Sequence, residues 1–201
     1  MGRIFLVGLA AVLAISAADF RQTRWGMSEA DVQAAEGKTP SSTSQGDSGT
    51  ILRYDSAPVA GMAAHVVYLF ASGKLVRAKY VLDRDHTELN DFIADFRTVE
   101  PVLREWHGKP TNERAIWEDD STQLEPKSYL DQDRATPSSI LPSDPLVGLA
   151  VALGHLRLFT QWQDARTTIT HALTGEQLRI VHQIEYKSVE LGGLEKTAQP
   201  R

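Results

Sequence analysis

Three groups of residues have types and spacings that could do chemistry. Gly46-Asp47-Ser48-Gly49 sets a serine between glycines and beside an acid. A hydroxyl there becomes an acyl-transfer nucleophile once a base activates it and donors hold the oxyanion. The first histidine, His65, comes only later in the chain, and the stretch Lys38 to Gly49 is a polar run of Ser, Thr and Gly with no frame for an oxyanion hole. No catalytic residue is expected. The six histidines are His65, His86, His107, His155, His171 and His182. Only His171 and His182 are placed to meet, across a final hairpin, and a metal or proton role would need a third partner such as Glu185 or Asp164. Hydrogen-bonded sheet histidines, with no metal, are expected instead. Asp131-Gln132-Asp133 begins like a calcium loop but lacks its glycine and closing glutamate. No phosphate-cradling or dinucleotide fingerprint occurs, so no cofactor is expected.

These residues need elements to position them. At 201 residues and 42% hydrophobic, the chain can bury a real core. Arg3, the apolar run Ile4 to Ile15 and the small residues Ser16-Ala17-Ala18 read as a secretory leader over residues 1–18, so a periplasmic or secreted protein is expected. The absence of cysteine excludes disulfides, thiolate metal sites and a lipidated cysteine. The formal charge is -5, and loss of Arg3 with the leader makes it more acidic. Such a chain has no reason to seek nucleic acid or an anionic membrane surface, and no stable membrane insertion is expected once the leader is removed.

The first ordered stretch is Phe20 to Gly37. Ser28 can cap a helix, Asp31 completes a capping box and Gly37 ends it after about two to three turns. Trp25 and Met27 just before the cap read as packing anchors. Lys38 to Gly49 reads as a loop and Thr50 to Ser56 as a strand. His65 to Phe70 and Leu75 to Leu82 alternate around a Ser72-Gly73 turn. A helix follows from about Thr87 to Trp106, with Leu89, Phe92, Ile93, Phe96, Val99, Leu103 and Trp106 at helical spacing. Asp83-Arg84-Asp85-His86 is placed to cap it, and Pro101 predicts a kink or restart. Arg114 to Trp117 reads as a short strand.

Residues 118–148 interrupt this pattern with Pro126, Pro137, Pro142 and Pro145 and an excess of acids, an insert that cannot fold alone. Near its end, Asp144-Pro145 resembles a helix start and Gly154 a stop. Three strands then close the chain: Leu156 to Trp162, Thr167 to Thr174, and Leu178 to Tyr186, the last two joined by a turn at Thr174-Gly175-Glu176. Residues 191–201 read as a flexible tail.

Glu36-Gly37-Lys38-Thr39-Pro40 and His107-Gly108-Lys109-Pro110-Thr111 end their helices alike, and Gly73-Lys74-Leu75 is echoed by Gly175-Glu176-Gln177-Leu178. The spacing between copies grows by about the length of the insert, which predicts a duplication. The expected fold is α+β: two tandem helix-plus-antiparallel-hairpin units, residues 19–83 and 84–190, forming a sheet with helices packed on one face.

The order Trp25-Gly26-Met27-Ser28, helix, Gly-Lys, hairpin, longer helix ending Trp106-His107-Gly108-Lys109-Pro110, then Trp162 and a Thr-rich hairpin resembles exported bacterial proteins of the β-lactamase-inhibitor-protein-like superfamily. That fold is shared with the small lipoprotein of the outer-membrane β-barrel assembly machinery. The resemblance implies tandem units with one sheet face exposed, and members that act by binding proteins. No inhibitory or docking residue carries over, and the missing lipidation cysteine departs from the assembly lipoprotein. A non-enzymatic binding module of the bacterial envelope is therefore expected, its partner another envelope or extracellular protein. Arg77, Lys79, Trp162, Arg179 and Tyr186 are the candidate contacts, since exposed aromatics and Arg anchor interfaces. The alternatives are a small-molecule or lipid carrier with a pocket at Phe92, Phe96 and Trp106, and a hydrolase using Ser48 or the histidine pair.

Overall fold

The computed structural model describes residues 18–46, 49–119, 121–122 and 145–197. The leader up to residue 17, Ser48 and its neighbour Asp47, and, within the 118–148 insert, residues 120 and 123–144 with Asp131-Gln132-Asp133 lie outside the described residues. The described elements are α1 (Glu29–Glu36), β1 (Ser42–Gly46), β2 (Gly49–Tyr54), β3 (Ala64–Ala71), β4 (Lys74–Leu82), α2 (Leu89–His107), β5 (Asn112–Trp117), α3 (Val147–Ala152), β6 (Leu156–Gln163), β7 (Thr167–Glu176), β8 (Arg179–Ser188) and α4 (Leu194–Thr197). The strands form one eight-stranded sheet in the order β1-β2-β3-β4-β8-β7-β6-β5. Every pair is antiparallel. The protein is thus α+β. Among the described residues no helix is long and apolar enough to cross a membrane.

Local chemistry sets the first helix. The Ser28 hydroxyl accepts the Asp31 amide while the Asp31 carboxylate accepts the Ser28 amide, and Gly37 closes the helix at a left-handed φ of 66°. Trp25 donates its indole N–H to Thr167 at 2.9 Å, and main-chain bonds link Gly26 and Met27 to Leu75 at the start of β4. At the far end, Glu36 accepts two bonds from Arg21, at 2.9 and 3.2 Å, and a third from the Tyr68 hydroxyl. α1 is pinned to the sheet at both ends, and its Val32 is fully buried.

α2 runs unbroken through Pro101. Its N-cap position is Glu88, without a side-chain cap bond. Arg84 and His86, expected to cap the helix, instead both bind Asp95 in its second turn, at 2.8 and 2.6 Å. Val99 and Leu103 pack with Leu52, Tyr68, Trp162 and Tyr186, while Phe92, Ile93 and Phe96 pack with α3, Leu156, Leu158 and Leu173. One sheet face therefore carries the core, with α1, α2 and α3 against it.

Four local expectations are corrected. β1 occupies part of the stretch read as a loop; as an edge strand exposed throughout, it buries no face and leaves no apolar alternation. β7 continues through Gly175 and Glu176, and the turn falls at Gln177-Leu178, with φ of 52° and 65°. Gly175 is there because α3 crosses it: a Cβ would stand 2.1 Å from the Val151 carbonyl oxygen. Gly73, by contrast, does sit in its turn, at φ 72°. The stretch read as a flexible tail includes the short helix α4, whose Glu195 reaches Arg77 on β4.

Candidate functional site

Alternation along the strands divides the sheet residues into two sets; α1, α2 and α3 cover one, and only the short α4 reaches the other, through Glu195. The other set crosses the sheet in rows fixed by the register. One runs Arg53, Val67, Lys79, Glu185, Thr170, Gln161, Asn112, and the next His65, Val81, Gln183, Ala172, Phe159, Arg114. Val67, Val81 and Phe159 in these rows, and Ile51 and Leu69 in the row of Arg77, are partly exposed, with none of the burial seen for Leu52, Val66 or Leu158 beside them. The chain is acidic, with a formal charge of -5, yet this face is cationic. Arg53, Arg77, Lys79, Arg114, Arg157, Arg179 and Lys187 stand on it against Glu176 and Glu185, with Asp55 paired to Arg53, Glu118 to Arg157, and Glu195 of α4 to Arg77 and Lys187.

The candidate contact residues divide accordingly. Arg77 and Lys79 are on the uncovered face: Arg77 pairs with Glu185 at 3.0 Å and with Glu195 of α4, and Lys79 reaches Gln183 at 3.1 Å. Arg179 is exposed at the start of β8, opposite Glu176. Trp162 and Tyr186 belong to the covered set and are buried, 2% and 6% exposed. Trp162 donates to the Gly108 carbonyl at 2.9 Å, and Tyr186 bonds His107 through its hydroxyl at 3.0 Å. Both hold the end of α2 on the sheet and cannot meet a partner. The carrier pocket meets a similar correction. Phe92 and Phe96 are core residues, whereas Trp106 is 51% exposed at the other end of the helix, so the three line no common cavity.

The histidine pair does form. His171 and His182 are diagonal neighbours on β7 and β8, with Nε2 atoms 2.8 Å apart and neither ring open to solvent. Their third partner is neither Glu185, on the opposite face, nor Asp164, beyond the end of β6. It is Glu100 of α2, whose Oε2 lies 3.0 Å from His171 Nδ1. Phe96, one turn earlier, stacks on the His171 ring with centroids 4.0 Å apart. Burial holds both imidazoles below their ordinary proton affinity; the Glu100 carboxylate opposes this at His171, and His171 and Arg84 add to it at His182. The rings are therefore neutral near pH 7, and the bonds fix the tautomers. His171 donates from Nδ1 to Glu100 and accepts at Nε2 from the His182 Nε2–H, which leaves His182 Nδ1 a buried acceptor without a partner. Glu100 continues through Arg104, at 3.0 Å, to Glu113 on β5, at 2.7 Å. This polar line couples α2 to three strands, but it opens on no substrate cavity. Sequence spacing could pair the histidines; the helical partner was invisible because it sits 71 residues away. Among the described residues no group of three or more His, Asp or Glu is placed to hold a metal ion.

Comparison with protein-family models, curated proteins and solved structures finds no match to this chain.

Proposed function

We propose that this protein is a non-enzymatic binding module of the bacterial envelope, exported by its leader to the periplasm or beyond, that engages another protein through the uncovered sheet face. The observation that carries the reading is the sign of that face: a cationic, partly apolar surface on an acidic chain. Charge segregated in this way steers an acidic partner and orients it on contact. Partly exposed Ile51, Val67, Leu69 and Phe159 supply apolar area between the charges.

The duplication belongs to the same proposal. α1 with β1 to β4, within residues 19–83, and α2 with β5 to β8, within 84–190, read as two tandem units joined where β4 meets β8. Such a pair forms a sheet twice as wide as either unit alone. The resemblance to the β-lactamase-inhibitor-protein-like superfamily supports both parts of the reading.

The test is capture of a partner from envelope extract by the full chain, with and without Arg53→Glu and Lys79→Glu. Both side chains are on the uncovered face and neither is in the core. The expected result is one dominant partner whose binding weakens at least about tenfold in the double variant and falls with salt. Equal capture by the variant, or no salt dependence, would overturn the reading.

A further inference from the structure

At the end of α2, beside the end of β6, the chain forms a second feature. Trp106, in the last turn, leaves its indole more than half exposed, the most exposed aromatic ring among the described residues. Beside it is a recess of about 250 Å³, with Trp162 and Ile169 at its apolar floor and His107, Lys109, Gln163 and Asp164 around it. Gly108, at φ 77°, turns the chain out of the helix so that His107 and Lys109 stand on either side of the Trp162 indole bond.

Two of the polar groups here are uncommitted among the described residues, and two are fixed in place. Lys109 and Gln163 are exposed and make no side-chain hydrogen bond within the described residues. Among the described residues Asp164 bonds through Oδ1, which accepts the amides of Arg166 and Thr167 at 2.7 and 2.8 Å and fixes the carboxylate in place. His107 is anchored through Nε2 to Tyr186, and burial keeps it below its ordinary proton affinity, so it presents a neutral ring. One rim thus holds donors and acceptors within reach of an exposed aromatic plane.

We propose that this recess binds a neutral saccharide ring, with Trp106 as the stacking platform and Lys109, Gln163 and Asp164 as the hydrogen-bonding rim. The chemistry narrows the class. An anionic ligand meets Asp164, a cationic one meets Lys109, and a purely apolar one strands polar groups. A pyranose ring satisfies all three constraints, because its C–H face is apolar and its edge carries hydroxyls that both donate and accept. The volume lies below that of drug-sized pockets, which suits one ring or the end of a chain.

The experiment titrates the full-length protein with glucose, N-acetylglucosamine and their β-1,4-linked disaccharides, following the Trp106 indole N–H by NMR together with tryptophan fluorescence. A saturable shift of the Trp106 signal at millimolar sugar is expected with at least one of them. Trp106→Ala should weaken binding about tenfold or more and Trp106→Phe distinctly less, because a smaller ring keeps part of the stacking face. Asp164→Asn should weaken it severalfold, through the carboxylate oxygen other than Oδ1. Trp106 is at the surface, so its removal leaves the core intact. No saturable change with any of the four sugars, binding unaffected by Trp106→Ala, or saturation by benzoate in place of sugar would each overturn the proposal.

Discussion

Acidification tests the interior of this protein through its buried imidazoles, His171 and His182 above all. His171 and His182 are buried against Phe96, and both are harder to protonate in the folded chain than their ordinary value of 6.5, first because burial disfavours the charged form. The unfolded chain therefore binds protons that the native state refuses. Stability rises with pH wherever the unfolded state carries more protons, so it should be level above about pH 7 and fall as pH drops below 6.5. Each imidazole contributes a slope of about 1.4 kcal/mol per pH unit in that window; His107, also lowered by burial, adds to it, so the three together give at most about 4.1. Glu100 works against the effect at His171, since a carboxylate 3.0 Å away favours the imidazolium. The assay is urea unfolding at a series of pH values from about 8 to 5.5. His182→Gln keeps a donor for His171 Nε2 but cannot titrate; it should cost about 1 to 2 kcal/mol at high pH and lower the acid slope by about a third to a half. Wild-type stability that is flat or rises on acidification, or an unchanged slope in His182→Gln, would refute the argument and show that the Glu100 ion pair outweighs burial.

Two further substitutions probe how the helices are held. Gly175→Ala places a methyl group 2.1 Å from the Val151 carbonyl oxygen and 2.9 Å from the Ala152 Cα, both backbone atoms, so α3 must lift from the hairpin. A loss of about 3 kcal/mol or more in urea unfolding is expected, and a loss below about 1 would show that α3 does not pack there. Glu36→Ala strips the Arg21 guanidinium and the Tyr68 hydroxyl of their shared acceptor; with the Glu36 side chain only 3% exposed, a loss of about 2 to 3 kcal/mol is expected from the same measurement.

Much of the local structure was legible in the chain. Ser28, Asp31 and Gly37 mark the bounds of α1 because capping is decided within one turn. The alternation in β3, β4, β6 and β8, and the apolar spacing from Phe92 to Leu103, are equally local, and so survived without knowledge of the partners. Where a residue answered to a distant contact, the reading failed. Gly175 looked like a turn residue but makes room for α3, and Arg84 and His86 looked like cap residues but serve Asp95.

The site divides in the same way. A period of two residues says which side chains share a face, and it groups Arg77 with Lys79 and Trp162 with Leu158 from the sequence alone. It cannot say which face the helices will cover. That choice buried Trp162 and Tyr186, left the arginines and lysines outside, and set Glu100 against His171. It depends on where α2 lies after β4 and β8 pair, a contact between residues more than a hundred positions apart in the chain.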